Sequence, residues 1–385
     1  MDKEALRRQD FGRILLIKLS ALGDVVHSIP VLHKLRRRYP DARIDWLVAP
    51  AFAELLTSHP ALSRLVLFGR EERSSPWTAL ARSARLEPAL RAARYDLVLD
   101  LQGQFRSAAL ALATRAPVRL GFDRPRREVW AASPRTLPAE ARRHAWKGAR
   151  EGAWLAYTHR IPVPTLDVHA VDRYLRLAPM LGLDEDTPDF SFPIPRHASE
   201  RVERLLRRHA DGGVLTIAPG TAWETKHWHS QGFAEVARHF LRQGFTVALV
   251  GSRREQHVCA EVAAAAPGSL NLAGETSLSE LAALLGRSAL CVTNDSGPMH
   301  LAVALNRPLI SIFGPTDEIW VGPYRRRGAV VRAELACAPC YLRLLSRCPH
   351  DHACMRRVSA QAVIERAELV LAASDSAREP VGSPH

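Results

Sequence analysis

The feature that most constrains the fold is a pattern the chain runs through twice: apolar segments of strand length alternate with amphipathic segments of helical length. RILLIK (13–18) opens the series. The turn LSALGD follows, then a stretch that sets Val25, Ile29, Leu32 and Leu35 on one helical face. Pro30 falls inside that stretch, so the helix either kinks there or starts properly at the proline. RIDWLVA (43–49), RLVLF (64–68) and DLVLDL (96–101) supply further strands. The segment 184–198, rich in proline and acid, has no periodicity and reads as a linker. After it the pattern restarts with GVLTIAP (213–219), FTVALVGS (245–252), ALCVTND (289–295) and PLISIFGP (308–315). Strands that are apolar throughout and separated by helices belong to parallel sheets covered on both faces. The expected architecture is therefore α/β, with two Rossmann-like doubly wound domains. Residues 1–185 form the first, 186–200 the linker, 201–356 the second, and 357–385 a C-terminal helix followed by a disordered tail. Ligands of such folds sit beyond the carboxyl ends of the strands.

Length agrees with this division, since 385 residues exceed one ordinary core. No apolar run approaches the ~18 residues of a membrane span, and the mixed-charge N-terminus does not read as a signal peptide. The expected location is the cytosol. The net charge of +13 is carried almost wholly by arginine, with clusters at Arg36–Arg38, at Arg124, Arg126 and Arg127, and at Arg325–Arg327. Such an excess favours an anionic partner, either a phosphorylated substrate or an anionic membrane surface. A codon bias toward arginine is the bland alternative. Nucleic acid is disfavoured, because no recognition signature is present and no aromatics are interleaved with the basic runs.

Three loops at strand ends carry candidate chemistry. KLSALGD, from Lys18 to Asp24, ends the first strand and places Asp24 at a helix start, as a cap or as a group facing a ligand. APGTAWETKHW, from Ala218 to Trp228, offers the Thr221 hydroxyl, backbone amides and Lys226 to a phosphate. Lys226 stands out in a chain that uses arginine nearly everywhere else, and a compact ammonium suits a point contact on a diphosphate. In TNDSGPMH, Ser296 or Gly297 caps a helix with Pro298 in its first turn, which makes an anion site of the free amides. Asp295 would hold a ribose, a sugar hydroxyl or the helix itself; His300 reaches a phosphate or packs. No GxGxxG, P-loop or nucleophile-elbow motif occurs. The triplet Asp184-Glu185-Asp186 has D-x-D form but lies in the linker, so it reads as solvated charge. Cys337, Cys340, Cys348 and Cys354, with His350 and His352 among them, have the look of a structural zinc site, with unligated structural thiols as the alternative.

In joint order and spacing these segments resemble the heptosyltransferase family (glycosyltransferase family nine) of lipopolysaccharide inner-core assembly. K-x-S-x-x-G-D is present as Lys18, Ser20, Gly23 and Asp24, and DLQGQFRSAAL (100–110) resembles the family's D-x-Q-G-x-x-[KR]-S segment. GFDRPR (121–126), HAVDRYL (169–175), the K-H-W block, the run from Asp295 to Pro308 and the FGPTD turn (313–317) extend the likeness over about residues 13 to 365. The resemblance implies a GT-B fold whose two domains face each other across a cleft. The N-terminal domain would bind the acceptor, the C-terminal domain the nucleotide sugar, and the last helix would cross back to the first domain. It implies inverting transfer of heptose from ADP-heptose to Kdo-lipid A or a heptosylated core, with no cofactor required for catalysis. Asp24 would be the general base. Thr221, Lys226, Asp295, Ser296, Gly297 and His300 would line the donor site, with Glu255 at the nucleoside. Ser20, Gln102, Arg106 and Arg124 would face the acceptor. The enzyme would work at the inner face of the cytoplasmic membrane, touching its anionic surface. The Arg- and Trp-rich stretch 124–150 and the pair Arg253–Arg254 beside Glu255 depart from the pattern. They keep open another glycan acceptor or another nucleotide sugar. A sugar-nucleotide 2-epimerase can share the GT-B arrangement, but the K-x-S-x-x-G-D loop argues against it. A non-catalytic nucleotide- or lipopolysaccharide-binding protein would need Lys226 but have no use for a base.

Overall fold

RILLI becomes a central strand because it has water on neither face: in β1 (Arg13–Ile17) every residue after Arg13 is buried. The computed structural model describes residues 3–69, 86–124, 126, 129, 148–165, 167–207 and 212–376. The chain divides at Pro193 and Ile194 into two units. In the first, β1 is joined by β2 (Arg43–Val48), β3 (Arg64–Leu67), β4 (Leu97–Asp100), β5 (Val118–Phe122) and β6 (His159–Ile161) in the order β3-β2-β1-β4-β5-β6. Every neighbouring pair is parallel.

The second unit repeats the scheme with β7 (Val214–Ala218), β8 (Thr246–Leu249), β9 (Leu270–Asn271), β10 (Ser288–Asn294), β11 (Leu309–Phe313) and β12 (Val330–Arg332). Their order is β12-β11-β10-β7-β8-β9, again parallel throughout. In each sheet the chain winds outward from its first strand, then returns and winds the other way. The reversal falls between β1 and β4 in one unit and between β7 and β10 in the other. Flanking loops diverge at such a switch point and leave a crevice at the carboxyl ends of the strands. Lys18–Asp24, Leu101–Gln104, Pro219–Trp228 and Asp295–Gly297 are the segments that follow these four strands.

Helix α1 (Leu22–Arg38) follows β1 and contains Pro30, so the proline neither starts nor ends it. Short helices α2 (Phe105–Ala113) and α3 (Ala170–Leu175) belong to the same unit. In the second unit, α4 (Arg196–Leu206) begins inside the stretch expected to be linker, which shortens the connection. Helix α5 (Ser230–Arg242) packs Phe233 and Phe240 against Trp228, and α6 (Gly297–Ala304) follows β10. The C-terminal helix α7 (Ala360–Ser376) gives Val363, Ile364 and Ala367 to this same core. Its buried face packs in the second unit. The expected tail lies outside the described residues, as do Arg127 and residues 130–147 of the Arg- and Trp-rich stretch.

Of the acidic triplet, Glu185 and Asp186 are exposed but Asp184 is not solvated charge. Asp184 accepts from the buried Lys34 ammonium at 2.5 Å and from Arg37 at 2.9 and 3.0 Å, and Lys34 also donates to the carbonyls of Asp184 and Asp186. His33 adds a contact at 2.8 Å to the carbonyl of Ser191. The back of α1 therefore grips the segment that leads out of the first unit. The Arg37 hydrogen bonds, reinforced by Lys34 against an opposing burial effect, hold the Asp184 carboxyl well below the usual carboxylate range. A lowered folded pKa adds stability above the unfolded value of about 3.9 and loses it as pH falls through the folded value. Asp184→Asn should thus cost about 1–3 kcal/mol at pH 7, with the gap to wild type closing as pH drops below about 4. Urea unfolding at several pH values checks this, and a gap that does not depend on pH would refute the ion-pair origin.

Candidate functional site

In the first unit the loop after β1 is built around a buried ammonium. Lys18 is 3% exposed, and its Nζ donates to the Leu101 carbonyl at 3.0 Å and to the Tyr174 hydroxyl at 2.7 Å. Tyr174, buried on α3, donates in turn to Asp24 Oδ1 at 2.6 Å. Lys18 and Asp24 lie 3.7 Å apart, and the Asp24 side chain is 38% exposed. Asp24 also accepts at Oδ2 from the Ala21 amide at 3.3 Å, so its capping role is real but rests on a long bond. Burial alone would raise the Asp24 carboxyl. Lys18, the Tyr174 hydroxyl and Arg173 outweigh it and hold the group below its ordinary value. Burial lowers the Lys18 ammonium, with Asp24 opposing.

The loop after β4 braces this turn. Asp100, wholly buried, accepts from the amides of Gln102 and Gly103 at 2.9 and 3.1 Å and from the Tyr157 hydroxyl at 2.8 Å. Gln102 Oε1 then accepts from the amides of Leu19 and Ser20 at 3.1 and 3.3 Å. Gln102 and Ser20 are therefore brought together with Asp24, and the carbonyl oxygen of Gln102 serves the turn itself. Arg106 lies exposed on α2 with its guanidinium 5.7 Å from the Phe68 ring centroid. The Arg124 amide is bonded to Asp123 at 2.8 Å, and Arg126 pairs with the same carboxylate.

In the second unit the pieces are mirrored in chemistry. Lys226 Nζ lies 2.6 Å from Asp295 Oδ2, with side chains 14% and 5% exposed. Thr316, from the FGPTD turn, donates to the same oxygen at 2.6 Å. The Thr221 hydroxyl reaches the Asp295 carbonyl at 3.5 Å, and Asn294 ties the two loops through the Pro219 carbonyl and the Trp228 amide. Thr221, Lys226 and Asp295 thus converge, Lys226 held by Asp295 rather than dispersed in solvent. Ser296 stands at the N-cap position of α6, with Pro298 in the first turn, but its side chain makes no cap bond, and its hydroxyl oxygen is buried with no hydrogen-bond partner among the described residues. His300 is a buried residue of the same helix, at 7% exposure. Glu255 bonds the Ser252 amide at 2.6 Å and packs so closely on Gly220 that a Cβ there would lie 2.3 Å from its carboxyl carbon.

Sequence reading did not single out Tyr174, Trp223, Thr316 or Arg343. The Trp223 ring carries two cations, Lys226 at 4.4 Å and Arg343 at 4.6 Å from its centroid. Arg343 comes from the cysteine segment, which straps the Lys226 turn. Thr225 donates to the Leu342 carbonyl at 2.6 Å, the Leu345 amide to Glu224 at 3.0 Å, and His352 contacts the Thr225 carbonyl at 2.7 Å. The four cysteines of this segment are free. Burial, then the neighbouring Cys340, Cys348 and Cys337, push the Cys354 thiol up to about 12. Among the described residues no group of three or more His, Cys, Asp or Glu is disposed to hold a metal ion. Cys354 packs in the core of the second unit, against Gly314.

Comparison with known proteins bears on these loops as a set. The model of glycosyltransferase family 9 (heptosyltransferase) matches residues 83–147 and 131–347. Lipopolysaccharide heptosyltransferase 1 of Pseudomonas aeruginosa is 30% identical, over 95% of this chain and 100% of that protein. Its Escherichia coli K12 counterpart is 27% identical over 83% and 93%. Among solved structures, E. coli heptosyltransferase WaaC with ADP-2-deoxy-2-fluoro heptose aligns with a TM-score of 0.66 and 26% identity, covering 93% of this chain and 99% of that one. A family 9 glycosyl transferase from Veillonella parvula shares the fold, with a TM-score of 0.74 at 21% identity over 94% and 98%.

The contact between Gly220 and Glu255 is directly testable. Gly220→Ala would push the Glu255 carboxyl aside and break its bond to the Ser252 amide. A loss of about 0.5–1.5 kcal/mol should appear in calorimetry as a lower unfolding midpoint. An unchanged midpoint would mean that the contact does not tie the two loops together.

Proposed function

The chain belongs to glycosyltransferase family 9, the heptosyltransferases, and on that premise we propose that it transfers heptose from ADP-heptose to the lipopolysaccharide inner core by a single inverting displacement. The acceptor hydroxyl attacks the anomeric carbon while Asp24 takes its proton. The bond from that carbon to the diphosphate oxygen breaks, and ADP leaves with the electron pair. Asp24 is the observation that carries this reading: a carboxylate held ionised at a switch point, part of its side chain open to solvent. An inverting displacement needs one base on the face opposite the leaving group.

Lys226 supports the other half. On donor binding the diphosphate would compete with Asp295 for its ammonium. The amides at the start of α6 and the buried Ser296 hydroxyl supply further donors. Growing charge on the leaving group is thus met by protein cations and dipoles, and the reading assigns no step to a divalent metal. Thr221 and Asp295 would meet the donor beside Lys226, and Glu255 would stand at the nucleoside. A structural zinc forms no part of the proposal; the cysteine segment acts as a strap on the Lys226 turn.

The inner-core acceptor is anionic and borne by lipid. Among the described residues no helix is long and apolar enough to cross a membrane. We read the arginines of the first unit, Arg106 and Arg124 among them, as contacts for acceptor phosphates and an anionic surface, weakened by salt. The working place in this reading is the inner face of the cytoplasmic membrane.

ADP release from ADP-heptose with Kdo-lipid A acceptor, measured in EDTA, tests the proposal. Wild type should turn over. Asp24→Ala should lose about 10²–10⁴-fold in kcat with ADP affinity nearly unchanged. Normal turnover by Asp24→Ala would sink the base, and loss of wild-type activity in EDTA would sink metal independence.

A further inference from the structure

We propose that Tyr174 is the positioning residue of the base: its hydroxyl, itself held by Lys18, occupies Oδ1 of Asp24 and leaves Oδ2 to take the acceptor's proton. The inference rests on the reading of Asp24 as the base. It concerns which of the two oxygens works, and what keeps the carboxylate aimed.

The geometry is asymmetric. Oδ1 receives the Tyr174 hydroxyl at 2.6 Å and faces the Lys18 ammonium at 3.7 Å, both from side chains almost wholly buried. Among the described residues Oδ2 receives only the Ala21 amide at 3.3 Å, a contact long for an N–H···O bond. Lone-pair density thus remains on Oδ2 for a substrate hydroxyl, on a side chain that is 38% exposed. A carboxylate at a helix start rotates readily about its Cβ–Cγ bond. One short bond from a rigid phenol removes that freedom.

Tyr174 is suited to the task because its own direction is fixed. Its oxygen accepts from Lys18 at 2.7 Å, so its proton has one good acceptor left, Asp24. The ring is buried between Phe122, at 6.0 Å between centroids, and Arg173, at 5.3 Å from the ring centroid. Lys18 is fixed in turn by the Leu101 carbonyl at the end of β4. The chain Leu101–Lys18–Tyr174–Asp24 thus passes the rigidity of two sheet strands to a residue on a helix. The charged groups that face Asp24 are Lys18 from the end of β1 and Arg173 from α3, beside Tyr174 itself. Asp100 acts on Lys18 from β4, and His27, one turn along α1, lies edge-on to His169.

The test is the pH dependence of kcat/KM for ADP-heptose in Tyr174→Phe. Loss of a donor to the ionised carboxylate raises the Asp24 pKa, so the acid limb should move to higher pH. At the optimum kcat should fall about tenfold or more through misaligned attack, with donor KM within about twofold of wild type. A second variant, 3-fluorotyrosine placed at position 174, keeps the ring and makes the phenol a stronger donor. Its acid limb should move the opposite way, to lower pH, and packing alone would not move it. Superimposable profiles for wild type and both variants would overturn the inference. Asp24→Asn, run alongside, separates the two readings. If it turns over normally, the base itself is misassigned. If it is inactive while the Tyr174 variants leave the limb in place, only the positioning role fails.

Discussion

The first unit depends on one buried cation. Taking an ammonium out of water costs several kcal/mol, and Lys18 is 3% exposed. The cost is met only where its three protons find partners. The Leu101 carbonyl and the Tyr174 hydroxyl accept two of them and the Asp24 carboxylate stands 3.7 Å away as an ion pair, each from a different element. β1, β4, α3 and the start of α1 are thereby held in one arrangement at the switch point of the sheet. Trp46 closes the back by donating to the Lys18 carbonyl at 3.2 Å.

The second unit uses the same device with the roles exchanged. At the β7/β10 switch point Lys226 pairs with Asp295, and here the carboxylate is the buried partner, at 5% against 14% exposure. In the first unit the carboxylate is the open one, 38% against 4% for the Lys18 side chain. One topology thus presents an acid's conjugate base in one half and a cation in the other.

Most of the frame was legible in the sequence because central strands bury both faces. RILLIK, RIDWLVA, DLVLDL, GVLTIAP and ALCVTND each coincide with a strand to within one or two residues. β6, β9 and β12 were not, since three, two and three residues at or near sheet edges carry no periodicity. The candidate loops were legible as motifs, but their wiring was not. Tyr174 is 150 residues from Asp24, and no local pattern announces a bond between them. Asp184 was misread because the buried partner that removes it from solvent, Lys34, lies on a distant helix.

The central claim is a single displacement with one base and no covalent intermediate. The anomeric configuration of the product tests it most directly, by proton and carbon NMR of the heptosylated acceptor formed from β-configured ADP-heptose. The account predicts an α linkage from the first turnover. A β-linked product would require two displacements or front-face attack, and would contradict the role given to Asp24.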